Sequence, residues 1–125
     1  MTVRKLLRGA AALALATAAM TAGGTTQAHA AAASWANCPY GAVCIYPQNQ
    51  NPAVSPSHVF WAYGPHRIYN QFGYHWVLNN QSDYALAHLC KSVGTDCHDS
   101  INSQEGLYFN LDPINSVTLS EWRPT

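Results

Sequence analysis

The four cysteines of this 125-residue chain constrain its fold more than any other feature of the sequence, because they fall into two short-range pairs. Five residues separate Cys38 from Cys44, and six separate Cys90 from Cys97. Four cysteines allow three pairings, and we favour the two local ones because each short segment contains a glycine and can close on itself. A structural zinc site is the alternative, but its paired cysteines usually have only two to four residues between them.

The first thirty residues have the three parts of a secretory signal peptide. Basic residues occupy positions 4, 5 and 8, an uncharged stretch rich in alanine and leucine follows at 9–22, and residues 28–30 (AHA) fit the cleavage site. The apolar stretch is shorter than the roughly 20 residues that span a bilayer, so we expect no membrane anchor. We predict a signal peptide at residues 1–30 and one secreted, extracellular domain at residues 31–125, in a compartment where disulfides persist.

The charge of the predicted mature domain argues against one class of partner. The whole chain is formally neutral, but residues 31–125 hold three basic and six acidic side chains, which gives a net charge of −3. A domain with three cations cannot neutralise a run of phosphates, and phosphate contacts supply most of the affinity in non-specific nucleic-acid binding. We therefore expect no nucleic-acid partner.

Short strand-like segments separated by proline and glycine make up most of residues 31–125. All fourteen Trp, Tyr and Phe residues lie in this part of the chain, so it has the apolar surface that folding requires. Candidate strands are 42–46, 58–63, 67–69, 75–79, 107–111 and 116–119, while 84–90 fits either a strand or one helical turn. The pattern predicts an all-β domain, a small antiparallel sandwich or barrel of six or seven strands.

The sequence does not contain a complete catalytic pattern. The five histidines after residue 30 lack an H-E-x-x-H motif, and the serines lack a G-x-S-x-G elbow. Cys97-His98-Asp99 is similar to the His-Asp pair of secreted phospholipases A2, but those enzymes carry C-x-x-H-D on a long helix, and here the histidine follows the cysteine directly. We interpret the histidines as hydrogen-bonded structural residues and expect that the protein is not an enzyme.

Aromatic residues provide one functional hypothesis. Trp61, Tyr63 and Trp76 lie close to Gly64 and Gly73, and several rings on one surface would be able to stack on sugars. Successive residues of a strand point to opposite faces, so part of the aromatic set is expected in the core. These three residues are the candidates for binding a carbohydrate or a cell-wall polysaccharide.

Two motifs resemble those of a known family. Residues 38–46 (CPYGAVCIY) are similar to the opening C-P-x-G-x-x-C-x-Y of small secreted, actinobacterial-type metallopeptidase inhibitors with a βγ-crystallin-like fold. Residues 112–119 (DPINSVTL) resemble the D-x-x-S-S segment that closes a βγ-crystallin Greek key, with Asn115 in place of the first serine. The resemblance implies two Greek-key motifs in a small, disulfide-stapled sandwich.

The resemblance also implies inhibition of an extracellular metallopeptidase. Inhibitory members of the family present a disulfide-tethered loop to the protease as a stiff substrate mimic, and the matching segment here lies between Cys90 and Cys97. The inhibitory loop would then consist of Lys91, Ser92, Val93, Gly94, Thr95 and Asp96. We expect no cofactor.

Calcium is the one metal that the resemblance introduces. Many βγ-crystallin domains bind it through N/D-N/D-x-x-S/T-S, which supplies hard oxygen ligands. Residues 79–84 (NNQSDY) match the first two positions but not the last two, and residues 111–116 (LDPINS) depart at the first and fifth. We expect no metal site, with calcium at these segments as the alternative.

Overall fold

The computed structural model describes residues 5–8, 33–52 and 54–123, and this part of the chain folds into nine strands. The strands are β1 (Lys5–Arg8), β2 (Val43–Ile45), β3 (His58–Phe60), β4 (Gly64–Arg67), β5 (Tyr74–Asn79), β6 (Leu86–Ser92), β7 (Thr95–Ile101), β8 (Glu105–Asn110) and β9 (Ser116–Ser120). They form two antiparallel sheets, one in the order β1-β8-β5-β2-β3 and the other in the order β4-β9-β6-β7. The all-β prediction is confirmed.

Strands β2–β5 form the first half of the domain, and β6–β9 form the second half. Each sheet takes most of these strands from one half and one strand from the other. In the first sheet β2, β3 and β5 are joined by β8, and in the second sheet β6, β7 and β9 are joined by β4. The order β8-β5-β2-β3 becomes β4-β9-β6-β7 when every strand is replaced by the one four places away in the chain. Because both halves contribute to both sheets, the sheet hydrogen bonds hold the two halves together.

Alternating side chains fill the space between the sheets. On β2, Val43 and Ile45 point into this inner core, while Cys44 between them points to the outer face of the first sheet. The buried members of the inner core are Val43, Ile45, Ile68, Val77, Ala87, Leu89, Ile101, Leu107, Phe109, Leu111, Ile114, Val117 and Leu119.

A second apolar cluster, the outer cluster, lies on the other face of the first sheet. Its buried members are Cys38, Ala42, Cys44, Tyr46 and Leu78, with Trp35, Ala36 and Trp76 packed against them. The Tyr46 hydroxyl donates a hydrogen bond to the carbonyl of Ala36, and burial raises the pKa of Tyr46 to about 12. The Cys38–Cys44 disulfide is therefore part of a small core that also fixes the chain around residue 36.

The strand predictions differ from the structure at several places. The prediction at 58–63 is too long, because β3 ends at Phe60, and the prediction at 67–69 begins where β4 ends. The ambiguous segment 84–90 contributes to strand β6. Strand β7 has no counterpart among the predictions, because it is polar and mostly exposed at the sheet edge and so lacks the alternating apolar side chains of a half-buried strand.

The predicted signal peptide lies mostly outside the described residues, which include only Lys5–Arg8 of it. This short strand pairs with β8, with Lys5 opposite Tyr108 and Arg8 opposite Glu105. Removal of residues 1–30 would therefore leave β8 as an edge strand, and signal-peptide cleavage stays a prediction. The described residues contain no helix with the length and apolar character needed to cross a membrane.

Candidate functional site

The segment assigned to the inhibitory loop forms the end of the β6–β7 hairpin. Cys90 lies opposite Cys97 and Ser92 lies opposite Thr95, so the turn itself consists of Val93 and Gly94. The predicted disulfide between Cys90 and Cys97 is present, as is the one between Cys38 and Cys44. All four cysteines are thus used in disulfides and are not available as thiolate ligands for zinc.

The hairpin tip, defined here as residues 91–96, is exposed, whereas its base is anchored in the core. All six residues of the tip are exposed, while Cys90 and Leu89 are buried. The Cys90–Lys91 peptide bond is therefore the point where the chain passes from the protein interior to solvent. Gly94 has a φ of +75°, a backbone conformation that glycine adopts without steric cost and that suits this tight turn.

Asn115, in the connection between β8 and β9, donates two hydrogen bonds to the base of the tip. Its main-chain N–H donates to the carbonyl of Cys90 at 2.9 Å. Its side-chain Nδ2 donates to the carbonyl of Lys91 at 2.7 Å, across a sequence separation of 24. The carbonyl groups of Cys90 and Lys91 therefore both accept hydrogen bonds from one residue that lies outside the hairpin.

Ser116, the first residue of β9, continues this support into the turn. Its hydroxyl donates to the carbonyl of Ser92 at 2.8 Å and accepts from the N–H of Gly94 at 3.2 Å. Ser116 is fully buried, so its rotamer is fixed by its surroundings. In the sequence, residues 115–116 belong to the closing motif and to the second calcium-like segment. Their contact with the tip depends on the β6–β9 pairing, which the sequence does not reveal.

The charged groups of the tip lie at its two ends. Lys91 is the basic side chain at the start of the tip, and Asp96 at its end contacts the imidazole of the exposed His98. The segment that contains Cys97, His98 and Asp99 belongs to strand β7. The histidine is therefore on an exposed strand, unlike the long helix that carries the His-Asp pair of the phospholipases.

The three aromatic candidates have different neighbours. Trp61 and Tyr63 are 58% and 56% exposed on the connection between β3 and β4. Tyr63 lines an open cleft of about 600 Å³ that also includes Leu119. Trp76 is half-buried on β5, with its ring centroid 5.3 Å from that of Tyr108. Tyr108, which sequence reasoning missed, is the aromatic partner of Trp76 because β5 and β8 pair in the first sheet.

The asparagines of the first calcium-like segment are structural. Asn79 is fully buried, its Nδ2 donates to two main-chain carbonyls at 2.9 Å, and its Oδ1 accepts from Gln81. The Oδ1 of Asn80 accepts from Gln104 at 2.9 Å. In the second segment, an Asp112 oxygen accepts a main-chain N–H at 2.7 Å. Among the described residues, no group of three or more His, Cys, Asp or Glu side chains is arranged to hold a metal ion.

Two histidines have both ring nitrogens within hydrogen-bonding distance of protein groups. His88 lies between the hydroxyls of Ser100 and Ser120, at 2.7 and 2.8 Å, and burial lowers its pKa. The ring of the buried His75 lies 2.7 and 2.9 Å from two main-chain carbonyls. Since both nitrogens of His88 face hydroxyls, neither is oriented by a carboxylate as the base of a catalytic triad would be.

Comparisons with known proteins do not assign the chain to a family: no family model, no curated protein and no solved structure matches it.

Proposed function

We propose that this protein is a secreted, non-enzymatic inhibitor of an extracellular metallopeptidase, and that the hairpin tip enters the protease cleft. The observation that carries the proposal is an exposed segment whose backbone is held by three separate constraints. A disulfide closes it, Asn115 holds the carbonyls of Cys90 and Lys91, and Ser116 holds the turn. A segment that is already ordered loses little conformational entropy on binding, so more of its contact energy appears as affinity.

The same contacts would oppose completion of proteolysis. Hydrolysis of the Cys90–Lys91 bond adds one water molecule and creates a carboxylate and an amine. The disulfide and the hydrogen bonds from Asn115 would keep these two ends close together, so the bond can reform with release of the water. A loop held in this way binds like a substrate and is released slowly as a product.

The strand order supports the implied Greek-key fold. A Greek key has the spatial order 4-1-2-3, and β5-β2-β3 and β9-β6-β7 both have the order 4-1-2, with the third strand of each half placed in the other sheet. We therefore propose that the two halves, β2–β5 and β6–β9, are the two motifs of a βγ-crystallin-like sandwich. Two disulfides are also typical of proteins from oxidising compartments, which supports secretion.

Inhibition constants against a panel of secreted metallopeptidases test the proposal, with Lys91→Leu as the informative variant. A leucine entering an apolar protease pocket gains roughly 1.5–3 kcal/mol that an ammonium group cannot gain. We therefore expect Lys91→Leu to lower the inhibition constant for a thermolysin-like enzyme by about tenfold or more. Arg67→Leu, which removes an exposed cation from β4, is the matched control and should leave inhibition unchanged.

Two results would contradict the proposal. One is the absence of inhibition across the panel. The other is an inhibition constant that changes neither with Lys91→Leu nor with the pair Cys90→Ser and Cys97→Ser, because the tip would then not be the contact surface.

A further inference from the structure

Three aromatic rings form a row on the outer face of the first sheet, away from the hairpin tip. Trp76 lies opposite Tyr108 in the β5–β8 register, and Tyr74 lies two residues before Trp76 on the same face. The ring centroid of Tyr108 is 5.2 Å from that of Tyr74 and 5.3 Å from that of Trp76. All three side chains are half-buried, so each residue keeps part of its surface in contact with solvent.

A turn that carries three amide side chains lies beside this row. Asn49, Gln50 and Asn51 line a cleft of about 160 Å³ together with Trp76 and Tyr108. The N–H of Asn49 donates to a main-chain carbonyl of β5 at 2.9 Å, and its Oδ1 accepts from the Tyr108 hydroxyl at 3.2 Å. The turn is therefore attached to both strands that supply the rings. These bonds fix the position of the amide side chains relative to the aromatic side chains.

We infer that this cleft is a binding site for one ring of a neutral saccharide, a function separate from protease inhibition. The apolar C–H face of a sugar ring suits the aromatic wall, since Trp and Tyr combine a large apolar surface with a polar group. The sugar hydroxyls suit the amides, because each amide both donates and accepts hydrogen bonds. A few placed polar groups on an otherwise apolar wall are typical of small-molecule sites.

The lining residues also define which saccharides fit. None of Asn49, Gln50, Asn51, Trp76 and Tyr108 is charged, so nothing in the lining compensates the desolvation of an ionised sugar. The cleft is smaller than the roughly 300–1,000 Å³ of sites that enclose drug-sized ligands. It therefore accommodates one ring, with the rest of a longer chain lying outside.

Isothermal titration calorimetry with defined oligosaccharides tests this inference. The probes are soluble oligomers of glucose, xylose, mannose and N-acetylglucosamine, with oligogalacturonate as the anionic comparison. We expect at least one neutral oligomer to bind and oligogalacturonate not to bind. The double change Gln50→Ala and Asn51→Ala, in two exposed residues outside the strands, should raise the Kd about tenfold, which corresponds to ~1.4 kcal/mol.

The matched control is Trp61→Ala, which removes a more exposed ring from a different part of the surface and should leave the Kd unchanged. Backbone amide NMR shifts on titration should be largest at residues 49–51, 76 and 108. Binding of none of the neutral oligomers, or loss of binding in Trp61→Ala but not in the double variant, would overturn the inference. Because these measurements contain no protease, they test saccharide binding independently of the proposed inhibition.

Discussion

The Cys38–Cys44 and Cys90–Cys97 disulfides close segments of nearly equal span, with sequence separations of six and seven, yet the fold places them in opposite environments. Both cysteines of the first pair are fully buried in the outer cluster, together with Tyr46. In the second pair Cys90 is buried, but Cys97 and the whole tip are exposed. The comparison shows that a short covalent link does not determine the role of a segment. The packing around the link determines whether it stabilises a core or presents a surface.

Replacing each disulfide by serines should have the largest effect and tests the comparison directly. Loss of a native disulfide from a small domain typically costs about 2–5 kcal/mol. Cys38→Ser with Cys44→Ser should fall at the upper end of this range, because it also places two hydroxyls in an apolar cluster. Cys90→Ser with Cys97→Ser should fall at the lower end, since the enclosed segment is exposed. Urea unfolding of the two double variants measures both, and the reverse order of stabilities would contradict our interpretation.

Changes at Asn115 examine why the exposed segment remains ordered. Asn115→Ala removes the bond from Nδ2 to the Lys91 carbonyl, and a hydrogen bond of this kind contributes about 0.5–1.5 kcal/mol. Asn115→Asp should have a larger effect, because an ionised carboxylate can only accept and would face a carbonyl oxygen. Amide hydrogen exchange at residues 91–96, and the rate at which proteases cut the tip, should both increase in the order wild type, alanine, aspartate.

Asn102→Ala is the control for this series, since it changes an exposed asparagine in the connection between β7 and β8. Exchange and cleavage at the tip should be the same in this variant as in the wild type. If Asn115→Asp also leaves them unchanged, the disulfide and the β6–β9 pairing hold the tip without the side chain of Asn115.

Acid should reduce the stability of the regions around both disulfides. We expect this effect to be smaller than those of the disulfide variants and the Asn115 variants. His58, on the strand that pairs with the Cys44 strand, and His88, two residues before Cys90, both have lowered pKa values. Burial is the main cause in both, and the charge of His75 adds to it for His58. Below the unfolded pKa of about 6.5, the unfolded chain binds protons that the folded chain does not, so acidification favours unfolding.

Unfolding free energies measured between pH 7.5 and pH 5 check this sign. Stability should be at its full value above about pH 6.5 and should decline as the pH falls below it. His88→Gln removes the contribution of one imidazole, so the variant should lose less stability than the wild type over the same interval. A wild-type stability that rises on acidification, or an unchanged slope in His88→Gln, would contradict the assignment.

Local features of the sequence were sufficient for the disulfides and for the strands with an apolar face. The pairs Cys38–Cys44 and Cys90–Cys97 are confirmed because a short segment with a glycine can close on itself whatever the rest of the chain does. β2, β5, β8 and β9 lie within two residues of the predicted segments, because β-branched and aromatic residues mark a strand that packs on a core.

Strand pairing, by contrast, is a long-range property that no local pattern contains. It decided the aromatic contacts, the support of the tip and the formation of β7. The placement of β4 and β8 in opposite sheets brings Tyr108 against Trp76, and the β6–β9 pairing brings residues 115–116 to the tip. β7 is a strand because β6 pairs with it, although its polar residues show no apolar alternation. The sequence by itself therefore determined which segments with an apolar face are extended and which cysteines join. Only the tertiary structure decided which of them meet, because contacts between residues far apart in the chain depend on the packing of the whole sandwich.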